Sequence, residues 1–164
     1  MKNILRLALC FTILIATSCK DDAQSAIAGA EESQTAMEAD LEQFQYLKDE
    51  AMEVHDEVMP EMGTLMELSE RMDAQIEKNA GAEEFKVTKE KLESAHDDMM
   101  EWMRDYSEKF PYGEKAPTTA EELDQKTEVL KQEVEEIKRL KIDTDNAIAY
   151  AQKLLQQVVK NEYQ

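Results

Sequence analysis

The longest periodic feature of this 164-residue chain is a set of apolar positions recurring at intervals of three and four with a single seven: Phe44, Leu47, Ala51, Val54, Val58, Leu65, Leu68, Met72 and Ile76. That period lines one face of an α-helix and cannot line one face of a strand. The stripe runs into Asn79-Ala80-Gly81, where glycine supplies a left-handed stop. A second stripe, Phe85, Leu92, Ala95, Met99, Trp102, Tyr106 and Phe110, is closed by Pro111-Tyr112-Gly113 and again by Pro117. Thr118 and Thr119 each stand three residues before a glutamate, Glu121 and Glu122, so either pair can form the capping box that opens a third helix. Its stripe is Leu123, Leu130, Val134, Ile137, Ile148, Ala151, Leu155 and Val158, a near-heptad weakened at its centre by Lys141 and Thr144.

Three such stripes predict an all-α fold, an elongated antiparallel three-helix bundle with coiled-coil-like packing over residues 37–164, its two longest helices about 60 Å each at 1.5 Å per residue. Composition agrees: 4 Gly, 3 Pro and 4 Phe against 37 Asp+Glu and 10 Met starve tight turns and strand pairing. Pro60 lies inside the first stripe, removes a backbone donor and predicts a bend, because a straight helix would lose about 3 kcal/mol there. Outward positions such as Glu133 to Glu136, followed by Lys138-Arg139, read as a solvated charged face. The formal charge of −18 repels phosphate backbones and argues against nucleic acid as a partner.

The first residues read as an address. Lys2 and Arg6 flank or interrupt an apolar run from Ile4 to Ala16, the layout of a secretory signal that is removed on export. The run ends Ile15-Ala16-Thr17-Ser18-Cys19, which resembles the lipobox at which bacterial lipoproteins are cleaved and acylated on cysteine; it departs from the motif in having no leucine directly before the Thr-Ser pair. Residues 1–18 are then a lipoprotein signal peptide, and Cys19 carries the lipid. Cys10 follows bulky Leu9 and cannot take that role. Loss of Lys2 and Arg6 moves the mature charge to about −20. Lys20-Asp21-Asp22 resembles the lysine-plus-two-acids tag that sends some lipoproteins through the outer membrane to the cell surface, with the periplasmic face as the alternative destination. From residue 19 to 36 the chain is mostly Ala, Ser, Gln, Gly and acids, with Ile27 the only large apolar group before Met37, and it reads as a flexible tether.

The segments His55-Asp56-Glu57-Val58-Met59-Pro60-Glu61-Met62-Gly63 and Asp97-Asp98-Met99-Met100-Glu101-Trp102-Met103 resemble small helical bacterial lipoproteins labelled "viral A-type inclusion protein". The resemblance spans roughly residues 50–110. It implies an all-helical fold and a membrane anchor, and brings no substrate, cofactor or catalytic residue with it.

One chemical pattern stands apart. His55-Asp56-Glu57-Val58-Met59-Pro60-Glu61-Met62 and His96-Asp97-Asp98-Met99-Met100-Glu101-Trp102-Met103 share the order His, Asp, acid, apolar, Met, two variable residues, Met, at an offset of 41 positions. In each, the histidine and the methionines four and seven residues later fall within about 60° on a helix, and Met66 extends the first row. A hairpin turning near Gly81 would set Met59 by Met103, Met62 by Met100 and Met66 by His96. Imidazole and thioether are donors that Cu(I) or Ag(I) prefers, so His55, Met59, Met62, Met66, His96, Met100 and Met103 form a candidate soft-metal set. The plainer reading is packing, since methionine fills irregular helix interfaces and a histidine at the edge of a seam bonds a neighbouring acid. A Met-rich face also suits adaptable partner binding.

Catalytic readings find little support. Glu93-Ser94-Ala95-His96 matches one Glu-x-x-His element of di-iron bundles, but His55 has Met52 rather than an acid three residues before it. Gly29, Gly63, Gly81 and Gly113 are too scattered for a phosphate-cradling loop. The sequence therefore predicts a lipid-anchored, acidic helical module of the outer membrane that binds or spaces an unknown protein partner, with no cofactor and no catalysis. Its alternative is a soft-metal binder or buffer. Both leave the choice between monomer and dimer open.

Overall fold

A computed structural model describes the backbone of residues 21–78 and 83–162 and the side chains of residues 35–78 and 83–160. Four helices follow one another: α1 (Asp21–Val58), α2 (Glu61–Lys78), α3 (Glu83–Lys109) and α4 (Ala120–Glu162). There is no strand among the described residues. The chain divides into two units, residues 1–36 and residues 37–164. α1 begins at Asp21, so helical backbone covers residues 21–36, where composition alone suggested a flexible tether. Alanine, glutamine and glutamate are good helix formers, and local propensity needs no apolar stripe to express itself.

Unit 37–164 is a three-helix bundle in which α2, preceded by the end of α1, forms the first arm, α3 the second and α4 the third. The first stripe is interrupted at Met59 and Pro60, a turn between α1 and α2, as the proline required. Met59 N–H still donates to the His55 carbonyl at 2.9 Å, and Met62 N–H reaches the Met59 carbonyl at 3.3 Å, so the chain bends by tightening one turn. Residue numbers that add to 162 face each other between α2 and α3: Ser69 Oγ donates to Glu93 Oε1 at 3.1 Å, and Lys89 Nζ meets Asp73 at 2.8 Å. α3 and α4 are also antiparallel, since Trp102 lies by Glu133 while Glu84 lies by Tyr150. α1 and α4 run parallel, joined by Glu50 to Lys138 at 2.7 Å and Glu57 to Lys141 at 3.8 Å.

Most residues of the predicted stripes are in the core, while Leu47, Val54, Ile76, Phe85 and Val158 are partly buried. Leu65, Leu92, Leu130 and Ile137 are fully buried, each worth about 1.5–3 kcal/mol of transfer free energy. Phe44, Ala51, Val58, Leu68, Met72, Met99, Trp102, Val134, Ala151 and Leu155 join them in one cluster. At the α3–α4 connection Glu114 N–H closes onto the Pro111 carbonyl at 3.1 Å, and Gly113 at φ +80 takes the position of that turn where a side chain would be strained. Of the two possible caps, Thr119 supplies the hydroxyl: Glu122 N–H donates to Thr119 Oγ1 at 3.3 Å, while the Glu122 carboxylate accepts from the N–H of Thr118, one residue earlier, at 3.3 Å.

One position departs from the solvated face read for Glu133 to Glu136. Glu133 is 3 % exposed, among the core residues of α4, while Glu135 and Glu136 are exposed. It sits one residue before core Val134 and four before core Ile137, within the wide buried face of a helix packed on two neighbours.

Candidate functional site

The His and Met row occupies the edge of the seam between the first arm and α3. The 162 register of α2 and α3 sets Met62 at the level of Met100 and Met66 at the level of His96, while Met59 lies in the turn ahead of α2, where that register is not fixed. Burial then sorts the seven residues. Met62 is buried; Met59, Met103, His55 and His96 are intermediate; Met66 and Met100 are 44 % and 46 % exposed. Met62 belongs to the core together with two methionines outside the row, Met72 and Met99, both fully buried. The row is therefore a rim at several depths rather than one sealed channel.

Each histidine is held by the aspartate that follows it. His55 Nδ1 lies 2.9 Å from Asp56 Oδ1 and His96 Nδ1 lies 3.1 Å from Asp97 Oδ1. A carboxylate only accepts, so a neutral ring in this contact carries its proton on Nδ1 and keeps the Nε2 lone pair. The repeated His-Asp dipeptide thus has the same local geometry twice.

His55 also ends a ladder of rings. Its centroid is 6.0 Å from Trp102; Trp102 stacks on Tyr106 at 4.9 Å; Tyr106 meets Phe110 at 5.2 Å; Phe110 meets Phe44 of α1 at 6.2 Å. Spacing of four on α3 puts Trp102, Tyr106 and Phe110 on one face, and two residues of α1 close the ladder's ends. The α1 pairs do not follow the 162 register, because the turn at Pro60 shifts α1 along α3. Trp102 Nε1 donates to the Glu133 carbonyl at 3.3 Å, which fixes the indole as a core anchor.

Beside the ladder lies a buried charge that sequence patterning missed. Glu133 Oε1 accepts from Lys109 Nζ at 2.7 Å; Glu133 Oε2 and the Tyr106 hydroxyl are buried without a hydrogen-bond partner. Burial, reinforced by the negative charges of Glu133 and Asp49, pushes the Tyr106 phenol up to about 12. The hydrogen bond that it donates to Glu133 holds the Lys109 ammonium above its ordinary value. A glutamate next to a valine at a core position was the available signal, masked by the acids around it. A groove of about 490 Å³ between α3 and α4 is lined by Lys91, Ser94, Asp98, Asp143, Asn146 and Tyr150, with the Lys91 ammonium 5.4 Å from the Tyr150 ring. Nothing in its mixed lining selects a ligand.

Of the anchor residues, Cys19 and Lys20 lie outside the described residues, and Asp21 and Asp22 are the first two residues of α1. Among the described residues no group of three or more His, Cys, Asp or Glu is placed to hold a metal ion, and no helix is long and apolar enough to cross a membrane. No protein-family model matches the chain, and no curated protein or solved structure matches it either.

Proposed function

We propose that this chain is a lipid-anchored, acidic helical module of the bacterial outer membrane that works by presenting its helical surface to a protein partner, without catalysis. The carrying observation is the joining of two parts in one small chain: an apolar leader that ends at Cys19, and a helical bundle over residues 37–164. The leader supplies an acylation site, and a bundle whose three arms close on a common core supplies a stiff surface. The surplus of acids on that surface favours a basic partner and weakens self-association at low salt. The likeness of residues 50–110 to small helical lipoproteins points the same way. Lys20-Asp21-Asp22 directs the anchored chain to the cell exterior in this reading.

Metabolic labelling with an alkyne palmitate tests the anchor. The wild-type chain takes the label and fractionates with the outer membrane, Cys10→Ser keeps both properties, and Cys19→Ala loses them. Label retained by Cys19→Ala overturns the anchoring site. Protease applied to intact cells then tests the side of the membrane: the bundle is cleaved in wild type and protected once Lys20, Asp21 and Asp22 are replaced by alanine. Protection in wild type overturns surface display.

A further inference from the structure

We propose that a groove between α2 and α4, lined by Arg71, Gln152, Leu155, Gln156, Val159 and Lys160, binds an organic monoanion with a short alkyl chain, a medium-chain carboxylate. This adds a small-molecule site to the module and does not rest on its anchoring or its protein partner. The groove holds about 460 Å³, within the range of small-ligand sites. Its lining carries two cations, two carboxamides and two aliphatic groups, and no carboxylate among the described residues. In a chain with 37 Asp+Glu against 19 Lys+Arg that composition stands apart, since other grooves of the bundle include Asp98 with Asp143, Glu101 with Glu136, or Glu84.

The donors converge from two helices. On α4, Gln152, Gln156 and Lys160 recur every four residues as a polar row, with Leu155 and Val159 as an apolar row beside it. Leu155 is 6 % exposed and belongs to the core, while Val159, at 50 %, offers an open aliphatic wall. Arg71 lines the groove from α2. Its contact with Glu67 is 3.9 Å, too long for a hydrogen bond, so the guanidinium keeps its fork of N–H donors for a ligand carboxylate. Lys160 makes no ion pair among the described residues, and the two carboxamides supply further N–H donors. A cationic ligand would meet Arg71 and Lys160 as like charges. A dianion would be repelled twice as strongly as a monoanion by the net charge of −18, which favours a single negative charge. The aliphatic row then separates an alkyl acid from acetate, because each methylene taken out of water adds affinity.

The test uses the full-length chain in phosphatidylcholine nanodiscs and radiolabelled octanoate in equilibrium dialysis, with uptake by empty discs subtracted. One equivalent is expected to bind saturably, with acetate weaker by about tenfold or more and octyltrimethylammonium unable to displace the label. Arg71→Gln and Lys160→Gln should each weaken binding by about fivefold or more, and Val159→Asn should weaken it as well. All three side chains are exposed, so far-UV circular dichroism and melting temperature should be preserved. Lys91→Gln, which removes a cation of the groove between α3 and α4, should leave binding intact. Absence of saturable octanoate binding overturns the site, as does binding indifferent to the Arg71→Gln/Lys160→Gln pair. Displacement by octyltrimethylammonium as effective as by unlabelled octanoate overturns it too, by showing that the alkyl chain alone is recognised.

Discussion

Lys109 Nζ donates to Glu133 Oε1 at 2.7 Å, a bond between an ammonium 43 % exposed and a carboxylate only 4 % exposed. The pair ties the end of α3 to α4 beside the aromatic ladder, and its asymmetry decides how it responds to mutation. Lys109 can return to water if its partner is lost. Glu133 cannot, and its second oxygen is already without a partner.

Lys109→Met should therefore cost more than Glu133→Gln. The first strands a buried charge, with an expected loss of about 1–3 kcal/mol, below the value for a fully buried pair because Lys109 faces solvent. The second removes the charge and leaves an acceptor for Lys109, and should stay within about 1 kcal/mol of wild type. Urea unfolding of both variants and of the double mutant checks this: the double mutant should be more stable than Lys109→Met alone. The reverse order would mean that the carboxylate is solvated.

The methionines should divide by depth, not by motif. Met72→Ala and Met99→Ala empty fully buried sites and are expected to lose about 2–5 kcal/mol each. Met66→Ala and Met100→Ala, both exposed, are expected to fall within about 0.5 kcal/mol of wild type. Thermal or urea denaturation of the four variants separates the groups, and a large loss at Met100 would mean that the exposed row closes in solution.

Thr119→Ala should cost about 1 kcal/mol, and Thr118→Ala much less. Only the Thr119 hydroxyl accepts from the first turn of α4, whereas Thr118 contributes its backbone N–H, which alanine retains. Equal losses in the two variants would show that the cap shifts by one residue.

The helical stripes were legible because a period of three and four is a physical property of the chain, independent of which neighbour each helix meets. The same period could not separate Thr118 from Thr119, since both lie three residues before a glutamate and only the backbone angles at the junction choose. Placing Met66 by His96 followed from one turn at Gly81 and agrees with the observed α2–α3 register. The displacement of α1 did not follow, because a proline predicts a bend without its magnitude. Glu133 was hidden for a different reason: binary patterning assigns glutamate to solvent, and the compensating Lys109 is 24 positions away on another helix. The depths of the row's methionines were equally invisible, as methionine is at home both in a core and at its rim.

Tyr106 makes the bundle sensitive to alkali in a specific window. Its phenol is raised from 10.0 to about 12 in the folded chain, chiefly by burial and then by Glu133. Below pH 10 the group is protonated in both folded and unfolded states and has no effect on the balance. Between about 10 and 12 the unfolded chain loses the proton first, so stability falls as pH rises, by at most about 1.4 kcal/mol per pH unit. Lys109 adds to the same decline: its raised value means that the stabilisation it shares with Glu133 is complete below its ordinary 10.5 and disappears as pH passes the folded value. Tyr106→Phe removes the first contribution and leaves the second. The slope of unfolding free energy between pH 10 and 11.5 should accordingly be shallower in Tyr106→Phe than in wild type. The wild-type absorbance titration near 295 nm should contain a late phenolate component that the variant lacks. Identical slopes and identical titrations would place the Tyr106 hydroxyl in water and break its link to the buried carboxylate.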